Sequence, residues 1–409
     1  MPSSRAPKFG EWLLWLVGGL AVAVLGWVFL SVISKSAPSA TESAIVLVTS
    51  TPTPEATASP TAVNIWRLIF TPTPGGALFL QPTPAPIVYP TPLPVIYPPP
   101  RARSAFNFGG QVLDFKAPDK MTYAGMKWVK FQIHEADTDA VEKIKRGHDK
   151  GFKVLLSVVG DVSRVADDLY YPQFAAYVGS LAAGGADAIE IWNEPNIARD
   201  WPSGQISPGL YIKFLRPSYE AIKAANPNTL VLTAGLAATL MAENLRTPNF
   251  WTEVDYTTEF VLEGGLLYAD CIGVHYNVGT TPPDTTDSAP KGDAAFVYFP
   301  RLVDYYAQLA RGTRPICVTE LGYLTGEGYA PLAQVAPDFN WAQNTTILNQ
   351  AAWLAQVVRM SAADPRVEML IVWNVDYWSY GADPHAGYAI IRKDGGCPAC
   401  ETLHALGLR

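Results

Sequence analysis

The chain has 409 residues, a formal net charge of −7 and only 16% charged side chains. That balance offers little to the phosphates of a nucleic acid and argues against one as a partner. Its 12 Trp are many for this length, and indole faces suit burial and also the apolar faces of sugar rings. Four Cys are too few for a disulfide scaffold.

Residues 12–33 form an uncharged run rich in Leu, Val, Gly, Ala and Trp. About 20 apolar residues cross a bilayer core, so the run is expected to be a transmembrane signal-anchor. A cleaved secretory signal has a shorter apolar core, about 7–15 residues. The small residues Ala37-Pro38-Ser39-Ala40 keep cleavage and secretion as the alternative. Arg5 and Lys8 precede the run and only Lys35 follows closely, which places residues 1–11 in the cytoplasm and the rest outside.

Residues 34–103 are dense in Pro and Thr, with repeats at Thr51-Pro52-Thr53-Pro54 and Thr71-Pro72-Thr73-Pro74. Proline removes backbone donors and favours polyproline II, so a disordered, semi-rigid extracellular linker is expected. Its composition also suits an O-glycosylated stalk.

From residue 104 to 409 strand-like and helix-like segments alternate. Apolar, β-branched strands are expected at 105–112, 127–133, 152–159, 188–194, 229–235, 270–276, 315–320 and 367–375. Amphipathic stretches at 140–150, 208–225 and 346–362 lie between them. Eight strands alternating with helices over this span is the arithmetic of a (β/α)₈ TIM barrel. A doubly wound open sheet is the alternative; against it, Phe108-Gly109-Gly110 lacks the spacing of a phosphate-binding glycine loop.

The fourth strand runs into Trp192-Asn193-Glu194-Pro195, and the seventh into Thr319-Glu320. Each places a carboxylate at a strand's C-terminal mouth, the edge where such barrels carry their chemistry. A facing pair can protonate a glycosidic oxygen and attack the anomeric carbon, with no metal or other cofactor required. Apart, each Glu would be an ordinary polar residue near a strand end; the pairing is what points to chemistry.

Asn193-Glu194-Pro195 on strand four, Glu320 on strand seven, and two further positions resemble the clan of retaining (β/α)₈ glycoside hydrolases that includes cellulases, xylanases and β-xylosidases. That resemblance implies Glu194 as acid/base and Glu320 as nucleophile. It implies substrate-binding roles for Asn193 at the sugar 2-hydroxyl, for His275 and Tyr276 at the end of strand six, and for Trp373 as an aromatic platform. The nucleophile must be ionised and the acid protonated, and aromatic burial by Trp192 or Trp201 is expected to raise Glu194. Lys130 stands where many clan members carry an Arg, and no His follows strand three. Lys130 and Glu190 are both expected to point into the barrel and pair.

Other residues read more plainly. His134, Glu135 and His148 show no ligand spacing. Cys397-Pro398-Ala399-Cys400 suits a local disulfide, whereas Cys271 and Cys317, on neighbouring strands, are expected to be small buried thiols. Loops 279–299 and 324–341 would wall a cleft. The reading is thus a monomeric, membrane-anchored glycosidase acting on a β-linked polysaccharide or oligosaccharide. Its rivals are a catalytically inactive barrel that binds cell-surface glycan and, further off, a thiol oxidoreductase at Cys397 and Cys400.

Overall fold

The computed structural model describes residues 95–101, 103, 105–239, 245–287 and 295–408. The expected transmembrane segment and nearly all of the Pro/Thr-rich linker lie outside the described residues. Among the described residues, no helix is long and apolar enough to cross a membrane.

All eight expected strands are present: β1 (Asn107–Gln111), β2 (Trp128–His134), β3 (Lys153–Val159), β4 (Ala188–Ile191), β5 (Leu230–Thr233), β6 (Ile272–Tyr276), β7 (Ile316–Leu321) and β8 (Val367–Val372). They pair in parallel in the order β5-β4-β3-β2-β1-β8-β7-β6. The remaining seam closes through a parallel bridge between Leu232 and Cys271, with Thr233 N–H donating to Cys271 O at 3.2 Å. The sheet is therefore a closed (β/α)₈ barrel.

Helices α1 (Pro118–Tyr123), α2 (Ala140–Asp149), α3 (Tyr170–Ala183), α4 (Pro208–Ala225), α5 (Glu253–Leu262), α6 (Phe299–Leu309), α7 (Ile347–Ala363) and α8 (Pro398–His404) accompany the strands. Several start as their sequences dictate. Ser207 caps α4 with Pro208 behind it, and Thr346 and Asn349 form a reciprocal capping box on α7.

The barrel interior is layered. Trp128, Leu155, Ala188, Leu232, Cys271, Cys317, Met369 and Ile371 make an apolar floor. Two residues further along three of these strands, Lys130, Ser157 and Glu190 replace apolar groups at full burial. The period-two alternation of a strand places these residues above that floor, on the same face.

Two features depart from expectation. Cys271 and Cys317 form a disulfide across neighbouring strands rather than standing as thiols, because their Cα atoms are only 5.9 Å apart. Cys397 and Cys400 are also bridged, as expected. The end of the Pro-rich segment is ordered against the barrel: Arg101 pairs with buried Glu368, Nη2 to Oε1 at 2.9 Å. Arg103 donates to the carbonyls of Ala362 and Asp364, and Pro99 O accepts from Arg314. These contacts reach the N-terminal ends of strands, so Pro99, Arg101 and Arg103 pack on the barrel.

Candidate active site

β4 stops at Ile191, three residues before the expected end. Trp192 (φ 74°) and Glu194 (φ 38°) adopt left-handed backbone that side chains other than glycine rarely take. Such strain persists only where the surroundings hold it, and it gathers at functional sites. Trp192 is clamped by an aromatic cluster of Phe174, Trp201 and Phe214, and its Nε1 donates to Asp200 O at 2.8 Å. Glu194 N–H donates to Gly235 O at 3.1 Å. The chain is thereby turned so that the Glu194 carboxyl lies beside β6 and β7.

Glu320 arrives by a different device. The pairing of β6 with β7 matches Val274 to Val318 but His275 to Glu320, a bulge that skips Thr319. A bulge re-aims the following side chain, and here it turns Glu320 onto the interior. One oxygen of Glu194, one of Glu320 and a ring nitrogen of His275 all lie within 4.8 Å of one another.

His275 Nδ1 is 3.0 Å from Glu194 Oε1 and 3.8 Å from Glu320 Oε2, and its Nε2 is 3.8 Å from Glu190 Oε1. Lys130 Nζ sits 2.8 Å from Glu190 Oε2 and 3.3 Å from Glu320 Oε1, and also donates to Thr319 O at 3.1 Å. The Lys130–Glu190 pair is therefore present, and it extends to Glu320. Gly235 is required here: a Cβ on it would lie 2.1 Å from His275 Cδ2.

Three cations, Lys130, His275 and Arg199, thus stand among the carboxyls of Glu190, Glu194, Glu320 and Asp200. Burial alone would lower His275, but Glu320, Glu190 and Glu194 outweigh it and push it up to about 10. Burial would raise Glu190, yet Lys130 and His275 hold it well below the usual carboxylate range. Lys130 is raised because Glu190 and Glu320 overcome its burial. Burial likewise works to raise Glu194, but His275 and Arg199 outweigh it and leave Glu194 lowered. This corrects the expectation of a raised Glu194. Trp192 and Trp201 pack in their own cluster, and two cations contact the carboxyl instead.

Of the remaining expected residues, Asn193 is buried; its Nδ2 donates to Asp200 Oδ2 at 3.3 Å, and its Oδ1 has no protein partner. Trp373 follows β8 half-buried, its ring 4.9 Å from that of Tyr377. Tyr276 alternates away from His275: its hydroxyl donates to Val297 O at 2.9 Å and its ring packs on Phe299 and Tyr323. The structure does not bring it to the carboxyl cluster.

Sequence reading missed three participants. Asn277, two residues beyond His275, donates Nδ2 to Glu320 Oε2 at 3.1 Å; strand alternation was the available signal. Arg199 and Asp200 come from the loop after β4. Arg199 Nη2 contacts Glu194 Oε2, and its Nε donates to Asp200 Oδ2 at 3.0 Å. No spacing rule points to a loop residue of that kind.

Glu194, His275 and Glu320 are donor types that a divalent cation accepts. At neutral pH, however, His275 raised to about 10 carries its proton. A metal would have to displace that proton and compete with Lys130 and Arg199 for the carboxylates.

No family model matches the chain, and no curated protein does. Among solved structures, it resembles a glucosidase from Croceicoccus marinus (TM-score 0.49, 13% identity, covering 75% of this chain and 68% of the other). It also resembles the endoglucanase Cel5A from Thermotoga maritima (TM-score 0.46, 14% identity, 73% and 96% covered). A GH39 β-xylosidase from Caulobacter crescentus is similar to the same degree (TM-score 0.48, 14% identity, 76% and 73% covered). At such identities no residue's role transfers.

Proposed function

We propose that this chain is a retaining glycoside hydrolase acting on β-linked glycans, with Glu320 as nucleophile and Glu194 as acid/base. The observation that carries the reading is the approach of Glu194 and Glu320 oxygens to within 4.8 Å at the C-terminal mouth of the barrel. Retaining enzymes hold their carboxyls about 5–5.5 Å apart, whereas inverting ones need about 6.5–9.5 Å to admit a water.

In the first step Glu320 bonds to the anomeric carbon while Glu194 protonates the departing oxygen. In the second, Glu194 takes a proton from water, the water oxygen bonds to the anomeric carbon, and Glu320 leaves. Lys130 and Asn277 hold opposite oxygens of Glu320, which fixes the carboxylate for attack. The unpartnered Asn193 Oδ1 is free to accept from a sugar hydroxyl, and Trp373 offers a ring face near the mouth. This chemistry needs no metal. The reading includes a domain held outside the cell by residues 12–33, or released by cleavage after them.

Incubation with a panel of aryl β-glycosides and plant, microbial and storage glycans tests it. Turnover with retention, read by NMR of the first-formed anomer, is expected. Glu320→Gln should lower kcat/KM more than about 10³-fold. Inversion, or activity that survives Glu320→Gln, would overturn the mechanism. A wild-type protein that binds glycan without turnover would establish the inactive binding barrel instead.

A further inference from the structure

The acid/base assignment leaves a difficulty. A general acid must hold a proton, yet Glu194 in the free protein is gripped by His275 and Arg199, both of which favour its carboxylate. The geometry beside it supplies an answer. Arg199 bridges two carboxyls at once, Nη2 on Glu194 and Nε on Asp200 at 3.0 Å. Asp200 is fixed in place: Asn193 Nδ2 donates to its Oδ2 at 3.3 Å, and its backbone carbonyl accepts from Trp192 Nε1 at 2.8 Å. The Arg199 side chain, in contrast, is 61% exposed and has room to move.

We propose that Asp200 is the proton partner of Glu194: it holds the proton that Glu194 delivers, and Arg199 follows the negative charge between the two carboxyls. This positioning role rests on the reading of Glu194 as acid/base. The Arg199 guanidinium holds the two carboxyls together, one oxygen of each on it. Glu194 meets two cations, His275 and Arg199, whereas among the described residues Asp200 meets Arg199 alone. Burial and the Glu194 carboxylate raise Asp200 to about 6 against the pull of Arg199, which favours the proton on Asp200.

The proton balance closes. Substrate entering at Glu194 displaces the Arg199 edge, and Asp200 passes its proton to Glu194. Asp200 is left as a carboxylate on the Arg199 Nε. Glu194 then gives that proton to the leaving oxygen as the glycosidic bond breaks and Glu320 bonds to the anomeric carbon. In the second step the proton taken from water returns through Glu194 to Asp200, and Arg199 regains its bridge.

The other groups facing this pair are His275 from β6, Glu320 from β7, and Asp383 and Tyr388 from the segment after β8. Lys130 from β2 reaches it only through Glu320. None of these bridges Glu194 to Asp200 as Arg199 does.

The test uses Asp200→Asn and Arg199→Gln in the full chain. With Asp200→Asn, kcat on substrates with poor leaving groups should fall about 10–100-fold, while aryl glycosides of acidic phenols change less than about 3-fold. The alkaline limb of kcat/KM should move down by about one pH unit in Asp200→Asn and up in Arg199→Gln, because the second variant removes a cation that favours ionisation. Carboxyl carbon NMR of the wild type should show a coupled step near pH 6 that Asp200→Asn abolishes. Absence of that step, or an alkaline limb unmoved in both variants, would overturn the proposal. A wild type without glycosidase activity but with the NMR step would overturn the reading of the reaction and leave the shared proton standing.

Discussion

Lys130 Nζ lies between Glu190 and Glu320, 2.8 Å from the first and 3.3 Å from the second, with no solvent exposure. An ammonium without water must be paired, and these two carboxylates meet that need. The same side chain thus supports the barrel interior and fixes a carboxylate at its mouth.

Removing it leaves two buried carboxylates without the ammonium they share. Lys130→Met is expected to destabilise the fold by about 3–5 kcal/mol, read as a lower denaturant midpoint. Adding Glu190→Gln should recover part of the loss, since the double variant buries less unpaired charge. A Lys130→Met protein as stable as the parent would show that the pair contributes nothing.

The contact between Arg101 and Glu368 sets a boundary on how far the chain can be trimmed. Glu368 is fully buried and Arg101 about a quarter exposed, so a chain starting at 104 should lose about 3 kcal/mol, near the lower end for a broken buried pair. Glu368→Gln in the shortened chain should restore much of it. Equal melting temperatures for the long and short chains would contradict the docking of this segment.

Stability should vary with pH in a way set by the interior cluster. His275 is raised to about 10 in the folded chain against 6.5 unfolded. Its contribution is therefore full below pH 6.5 and lost as pH rises through about 10. Glu190 and Glu194 are lowered from 4.5, so theirs is present above that value and lost as pH falls below it. For these three groups the maximum lies between pH 4.5 and 6.5. His275→Gln should flatten the alkaline decline of the melting temperature; an unchanged decline would assign it to other groups.

The two disulfides should respond differently to reductant. Cys271 and Cys317 are fully buried in the barrel floor, whereas Cys397 is partly exposed. Mild reduction of the native protein should release two thiols, from Cys397–Cys400 alone, and unfolding four. Cys317→Ala should cost about 4 kcal/mol, the loop entropy for a separation of 46 residues. Four thiols from the native state would place the second bridge within reach of solvent.

Much of the site was legible before any coordinates. Glu194 and Glu320 follow from counting strands, because a strand's end in a parallel barrel has only one mouth to occupy, and His275 was assigned there by resemblance. Tyr276 was assigned to that mouth by resemblance, yet alternation sends it outward and brings Asn277 in. Arg199 and Asp200 were not legible, since a loop's path depends on what it packs against. Here that is the Trp192 and Trp201 cluster.

By itself, the sequence determined the eight-strand barrel and the identity of two carboxylates at strand ends, because apolar periodicity and Pro or Gly breaks are local properties. Tertiary structure decided how those carboxylates are aimed and which cations they meet. A bulge at Thr319 turns Glu320 inward, positive φ at Trp192 and Glu194 turns the other, and cations from β2, β6 and a loop contact them. Register shifts and long-range ion pairs join residues far apart in the chain, and only the closed barrel brings them within a few ångströms.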